Sequence, residues 1–372
     1  MLLIVKALIL YQLMEGVKNR ILANSPNPPA IRTCLDRVDR PIRLMPGLIH
    51  FFLPLVFWIL SLVGILFAPF WAQIVLGIMN GNAIAAMFNI GHSALHGSLF
   101  PKTWMNRVAG LIAMAPALKP VTSWVYVHNY LHHSFTNNKE KDASFAPLSL
   151  LEYNILSPIG KFSYRVSRSW YGCGWLYLKE MWFKWEFFPT PQRAPKDSKA
   201  FLIDRIQLAI FISFWFGLLV WFSDARGENI LIMFFTGFFL PQFISCYFIG
   251  FVTFLQHTHP KVAWYLEFDS QIPSFHESQM RSTPHLVFPR VLRILMRNIM
   301  EHTAHHVDTA LPFPILPDAQ NALEDSFHNY IVRERWTFFH FVQNTRICKL
   351  YDYAKHQWVG YHGEPLAEPI SL

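Results

Sequence analysis

Four stretches of this chain, 48–69, 70–91, 206–223 and 229–253, run almost unbroken through apolar residues. Crossing roughly 30 Å of hydrocarbon takes about 20 helical residues, so each stretch is predicted to be a transmembrane helix. Only a turn around Ala68-Pro69 separates the first two, and only Ser223 to Glu228 separates the last two. The four spans therefore read as two helical hairpins, each returning to the side it left. Their interiors hold scattered amides, Asn80, Asn82, Asn89 and Gln242, rather than the charged groups that line a permeation path.

The segments between and around the hairpins carry nearly all the positive charge. Residues 1–47 hold seven Lys and Arg, 97–200 hold thirteen and 254–372 hold ten; Arg205 precedes the third span, which leaves Arg226 alone in the far turn. The positive-inside rule then assigns both termini and both large connecting segments to the cytoplasmic face. The expected fold class is all-α: a polytopic membrane protein with four transmembrane helices in two hairpins, capped by a cytoplasmic, helical, histidine-rich domain. The whole chain, 1–372, reads as one domain. Its parts are an N-terminal segment 1–47, a hairpin 48–91, a loop 92–205, a hairpin 206–253 and a tail 254–372.

Smaller features fit that plan. The first fourteen residues are apolar apart from Lys6 and Gln12; without a charged start or a small-residue cleavage site they predict an interfacial helix rather than a signal peptide. Within the loop, an apolar piece at 108–118 and a run of rings from Trp170 through Trp175, Trp182 and Trp185 to Phe188 suit the headgroup layer. The Pro-rich pieces Ser25 to Pro29 and Pro189 to Pro195 read as linkers. There is no internal repeat.

Composition narrows the class further. A hydrophobic content of 52% with 16% aromatics argues against two soluble domains. Cys34, Cys173, Cys246 and Cys348 show no CxxC spacing, so they supply neither a disulfide framework nor a thiolate metal site. The net charge of +8 is dispersed and matches no nucleic-acid module, which excludes nucleic acid as a partner and suits anionic lipid headgroups.

The candidate chemistry lies in the grouping of the 17 histidines. His92 and His96 form HxxxH in GHSALH, His128, His132 and His133 form HxxxHH in HNYLHH, and His302, His305 and His306 form HxxHH in EHTAHH. His257 and His259 lie in QHTHP, directly after the fourth span, as His92 lies directly after the second. Residues three or four apart share a helix face, so each group can aim two or more imidazoles at one point. All four groups fall on the face that the charge rule makes cytoplasmic. The candidate metal ligands are His92, His96, His128, His132, His133, His257, His302, His305 and His306, with His259 a weaker candidate. His50, His276, His285, His328, His340, His356 and His362 lack such grouping and read as structural.

Eight or more imidazoles without a cysteine exceed the three or four that one zinc ion takes, so two metals are implied. Imidazole suits iron, zinc and copper alike. The Glu-x-x-His pairs of helical di-iron carboxylate proteins do not occur here.

GHSALH, HNYLHH, FLQHTHP and NIMEHTAHH, in this order and spacing, resemble the histidine boxes of the membrane fatty acid desaturases. The likeness is greatest to the methyl-end, Δ12-type acyl desaturases, through QHTHP at 256–260, HTAHH at 302–306 with Asn298 and Ile299 upstream, and KLYDYAKHQW at 349–358. It runs over roughly residues 45–360. One departure is that three residues separate His128 from His132 where this branch usually has two; related membrane di-iron oxygenases share the longer spacing.

The resemblance implies two iron ions, dioxygen activation and removal of two hydrogens from adjacent methylenes to give a cis double bond. An alkyl C–H bond offers no acid and no leaving group, so side-chain acid–base chemistry has no purchase on it. It also implies an acyl-chain substrate, linked to lipid, coenzyme A or acyl carrier protein, and an external electron donor, a ferredoxin or cytochrome. Basic loops would suit an acidic carrier. Related scaffolds act as hydroxylases, acetylenases or ketolases, which leaves those reactions as alternatives on the same site. A histidine-rich transport or structural metal protein is the alternative of another class. The lack of a transit-like or retention signal points to a bacterial inner membrane.

Overall fold

The computed structural model describes residues 29–36, 38, 42–142, 145–188, 198–269 and 273–371. The predicted interfacial helix at 1–14 and the Pro-rich stretch 189–195 lie outside them, as does all of the first linker but Pro29. The chain divides into two compact units. One gathers 42–124 and 182–249, the other 125–181 and 250–372 together with the short helix Pro29–Leu35.

The first unit is built on four long helices: α1, Leu44–Phe67; α2, Phe70–Leu95; α4, Ser198–Arg226; and α5, Ile230–His257. A shorter helix, α3, spans Thr103–Met114 and packs on α2. All four long helices are long and apolar enough to cross a membrane. Large side chains on them, such as Leu53, Leu60, Phe214 and Phe243, are more than 60% exposed. A surface of that kind is stable in lipid and not in water.

Polar groups inside the bundle pair across helices, as they must where no water is at hand. Asn80 on α2 donates to the Trp58 carbonyl of α1 at 2.9 Å and to Ser61 Oγ at 2.8 Å. Gln73 donates to Glu228 Oε1 at 2.8 Å and accepts from Thr236 Oγ1 at 3.0 Å. Arg226 donates to the Leu66 and Ala68 carbonyls at the end of α1. The lone basic residue of the far turn thus ties both hairpin turns to one end of the unit.

Two of the helices outrun their apolar stretches. α2 continues to Leu95 and α5 to His257, so His92 and His257 sit in the last helical turns instead of following the spans. Continuing the helix keeps the backbone hydrogen-bonded in an apolar setting, whereas a polar residue in the sequence pattern only marks where the apolar face ends. α5 also contains a π-helical turn, Phe235–Phe239.

The second unit is mostly helical, with two small sheets. Helices α6, Phe275–Arg281, α7, His302–Val307, and α8, Leu316–Phe327, surround the third histidine group, and α7 packs on both of its neighbours. Strand β1, His285–Val287, pairs in parallel with β2, Arg333–Arg335, and β3, Leu350–Asp352, pairs antiparallel with β4, Gln357–Val359. The β3–β4 ribbon carries Tyr351 and Trp358 into a buried cluster with Trp264 and Cys348. All four cysteines are free.

Candidate metal centre

The second histidine group stands on a π-helix, Val125–His132, with His133 at its end. A π-helix closes its hydrogen bonds five residues on and is found disproportionately at functional sites. This winding corrects the expectation that residues four apart share the working face. Nε2 of His128 lies 3.2 Å from Nε2 of His133, five residues later. His132 instead faces His306, Nε2 to Nε2 at 3.2 Å, and its ring lies 4.5 Å from that of His257. The wider turn also absorbs the additional residue between His128 and His132.

Seven of the nine candidate ligands form two clusters inside the second unit. One holds His128, His133 and His305, the other His132, His257, His302 and His306, and within each the ligating atoms lie within 4.8 Å of one another. The helix α7 supplies both: His302 and His306, four apart, face the four-histidine cluster, and His305 faces the other. Nε2 of His257 lies 3.0 Å from Nε2 of His302. All seven except His128 are 5% exposed or less. His92 and His96 lie side by side in the first unit, with ring centroids 4.7 Å apart, both packed against Trp124.

The tautomers show what the four-histidine cluster is for. His132 Nδ1 lies 2.8 Å from Asp142 Oδ1, and His306 Nδ1 lies 2.7 Å from Gln279 Oε1. Both oxygens can only accept, so both rings carry their proton on Nδ1 and turn a bare Nε2 lone pair toward the other. Two lone pairs 3.2 Å apart repel unless a cation lies between them. At metal–nitrogen bonds of about 2.1 Å, neighbouring ligands at right angles stand about 3 Å apart, the spacing found here. Burial, and then the surrounding imidazoles, hold the His306 pKa well below its usual value, which keeps the ring neutral as a ligand must be. The donor set fits a metal ion.

His257 and His259 part company. His259 Nε2 pairs with Glu334 at 2.7 Å and its Nδ1 accepts from the Lys261 amide, so it stands outside both clusters. Three residues that sequence reasoning passed over also matter here. Asp142 and Gln279 orient the rings just described; outer partners have no set spacing from their ligands, and no pattern in the chain singles them out. His285, read as structural, pairs through Nε2 with Glu301 at 2.5 Å and through Nδ1 with Glu324. Glu301 immediately precedes His302, and Gln320, hydrogen-bonded to Glu324, accepts from the Ala304 amide. His285 thereby pins α7 from both sides.

A polytopic bundle with buried, convergent histidine clusters that could hold metal ions defines the class of this membrane protein. The chain belongs to the fatty acid desaturase family, whose model matches residues 66–338. It is similar to the sn-1 oleoyl-lipid 12-desaturase of Picosynechococcus sp., with 25% identity over 299 residues, 79% of this chain and 81% of that protein. The sn-1 oleoyl-lipid 12-desaturase of Synechocystis sp. is 26% identical over 293 residues, 78% of this chain and 79% of that one. The chloroplastic omega-6 fatty acid desaturase of Glycine max is 24% identical over 293 residues, 77% of this chain and 65% of that one. As a member of the family the chain is an oxidoreductase of fatty acyl chains.

Proposed function

We propose that this protein is a Δ12-type acyl-lipid desaturase that converts a monounsaturated acyl chain to a diene at a di-iron centre. The observation that carries the metal site is the pair of bare Nε2 lone pairs of His132 and His306, held face to face by Asp142 and Gln279. The Δ12 position is supported by the similarity to the sn-1 oleoyl-lipid 12-desaturases of Picosynechococcus sp. and Synechocystis sp..

In this reading His132, His257, His302 and His306 hold one iron. His128, His133 and His305 hold the other, and His92 and His96 of the first box are ligands as well, as the family resemblance implies. When bound, the iron pair supplies the dioxygen chemistry that an unactivated methylene requires. The net reaction takes two hydrogens from the chain, one dioxygen, two electrons and two protons, and yields a double bond and two waters. The protein's own part is to keep the imidazoles neutral and aimed, and to bury them away from water. The electrons come from a separate small carrier protein, and the boxes and termini face the cytoplasm of a bacterial inner membrane, which the charge distribution supports.

Gas chromatography with mass spectrometry of total acyl chains from a desaturase-poor host tests the reaction. A new diene is expected that is lost in His305→Ala. A hydroxylated or acetylenic product would keep the metal site and overturn the desaturase assignment.

A further inference from the structure

We propose that Asp142 is a positioning residue for the four-histidine cluster: its carboxylate locks the His132 tautomer and, as an anion behind the ring, makes His132 a more electron-rich donor than His306, the ring it faces. The inference rests on the reading of these histidines as metal ligands.

Asp142 is 1% exposed. One oxygen meets His132 Nδ1 at 2.8 Å and the other accepts from the Asn137 amide at 2.7 Å. The Asp142 amide in turn donates to the Asn138 carbonyl at 2.8 Å. The loop that joins His132 to Asp142 is itself fixed. Asn137 takes a left-handed φ of +58°, a conformation Asn tolerates better than most residues. Its side chain donates to the Ala263 carbonyl at 2.9 Å, its carbonyl accepts from Tyr265 at 3.0 Å, and Lys139 donates to the Tyr265 carbonyl at 2.9 Å. The carboxylate is therefore anchored to the segment that follows His257, another member of the same cluster. It cannot swing with the ring it orients.

The partner across the cluster is different in charge. His306 Nδ1 rests on Gln279 Oε1, a neutral amide that also accepts from Thr136 Oγ1 at 2.9 Å. An anionic acceptor draws the Nδ1 proton further from its ring than a neutral one and raises the basicity of the opposite nitrogen. The two rings that face each other at 3.2 Å are thus held by the same device at two strengths. Of these two rings, His132 carries the anionic form.

Four preparations test this: the wild-type chain, Asp142→Asn, Asp142→Ala and Gln279→Glu. Removing such a partner lowers metal affinity by about ten- to a hundred-fold, so cobalt(II) titration of metal-stripped Asp142→Ala should show one of two sites weakened to that extent. In iron-loaded Asp142→Asn, one of two Mössbauer doublets and the midpoint potential should shift, the potential upward, as loss of an anion favours the reduced metal. Gln279→Glu, which adds an anion behind His306, should move the potential downward. Should Asp142→Asn fail to fold, the wild-type chain still answers: cobalt loading should shift a carboxylate band in the infrared difference spectrum. Unchanged cobalt affinity in Asp142→Ala, equal shifts of both doublets, or no carboxylate band moving would each overturn the assignment. Wild type that binds cobalt at two sites but never iron would sink the di-iron reading and leave the role of Asp142 to the cobalt data.

Discussion

Lys119 and Glu186 stand 67 residues apart in sequence, and Lys119 Nζ meets the two Glu186 carboxylate oxygens at 2.7 and 2.6 Å with both side chains buried. Ser123 Oγ donates to the Glu186 carbonyl, so the pair fastens the segment just ahead of the second histidine box to residue 186. Removing one member of a buried pair leaves the other charge without compensation, at a cost of about 3–5 kcal/mol. Lys119→Met should therefore lower the midpoint of thermal inactivation in detergent well below wild type. Lys119→Met with Glu186→Leu should recover most of the loss. Equal midpoints for wild type and the single variant would contradict this role.

The helix contact at Gly81 leaves no room for a side chain. A Cβ there would lie 2.6 Å from Ile244 Cβ and 2.6 Å from the Pro241 carbonyl oxygen. Small residues let membrane helices approach this closely, and overfilling such a contact costs about 1–3 kcal/mol. Gly81→Ala is expected to reduce the yield of folded, detergent-stable protein, whereas Gly217→Ala, where a Cβ meets nothing within 4 Å, should not. Size-exclusion profiles of the two variants side by side decide the matter.

His257 and His259 are separated by one residue and by function. His257 joins the four-histidine cluster and His259 pairs with Glu334. His257→Ala should lose one of two metal ions per chain by mass spectrometry, and His259→Ala should keep both. Equal metal loss in the two variants would mean that the partition is wrong.

The His285 clamp predicts a pH dependence. Burial by itself would lower the His285 pKa, but hydrogen bonds to Glu301 and Glu324 outweigh it and raise the value from 6.5 to about 8. A raised folded-state pKa gives stability that is complete below about pH 6.5 and is lost as pH climbs through about 8. At 1.36 kcal/mol per pH unit the shift is worth about 2 kcal/mol. Thermal midpoints between pH 6 and 9 should fall with rising pH in wild type and run flatter in His285→Gln. Parallel slopes in the two proteins would remove His285 as the cause.

Much of this molecule was legible before folding was considered. Unbroken apolar runs announce four helices, because a backbone in lipid has few ways to satisfy its hydrogen bonds. The short turns at Ala68 and Ser223 announce hairpins, since so few residues cannot recross a bilayer. The histidine groups announce a metal site, because imidazoles repeated at helical spacing on an otherwise apolar chain have few other uses. Tertiary structure decided the rest. The π-winding at Val125–His132 sets His128 beside His133, five residues on, rather than beside His132, a choice that depends on hydrogen-bond geometry and leaves no mark on residue type. Asp142 and Gln279 become orienting groups only through loops and helices that bring them to the rings from 10 and 27 positions away, and His285 only by meeting Glu301, 16 positions on. Local pattern records what each segment prefers; which lone pair faces which is set by contacts between segments, and these exist only once the chain has closed on itself.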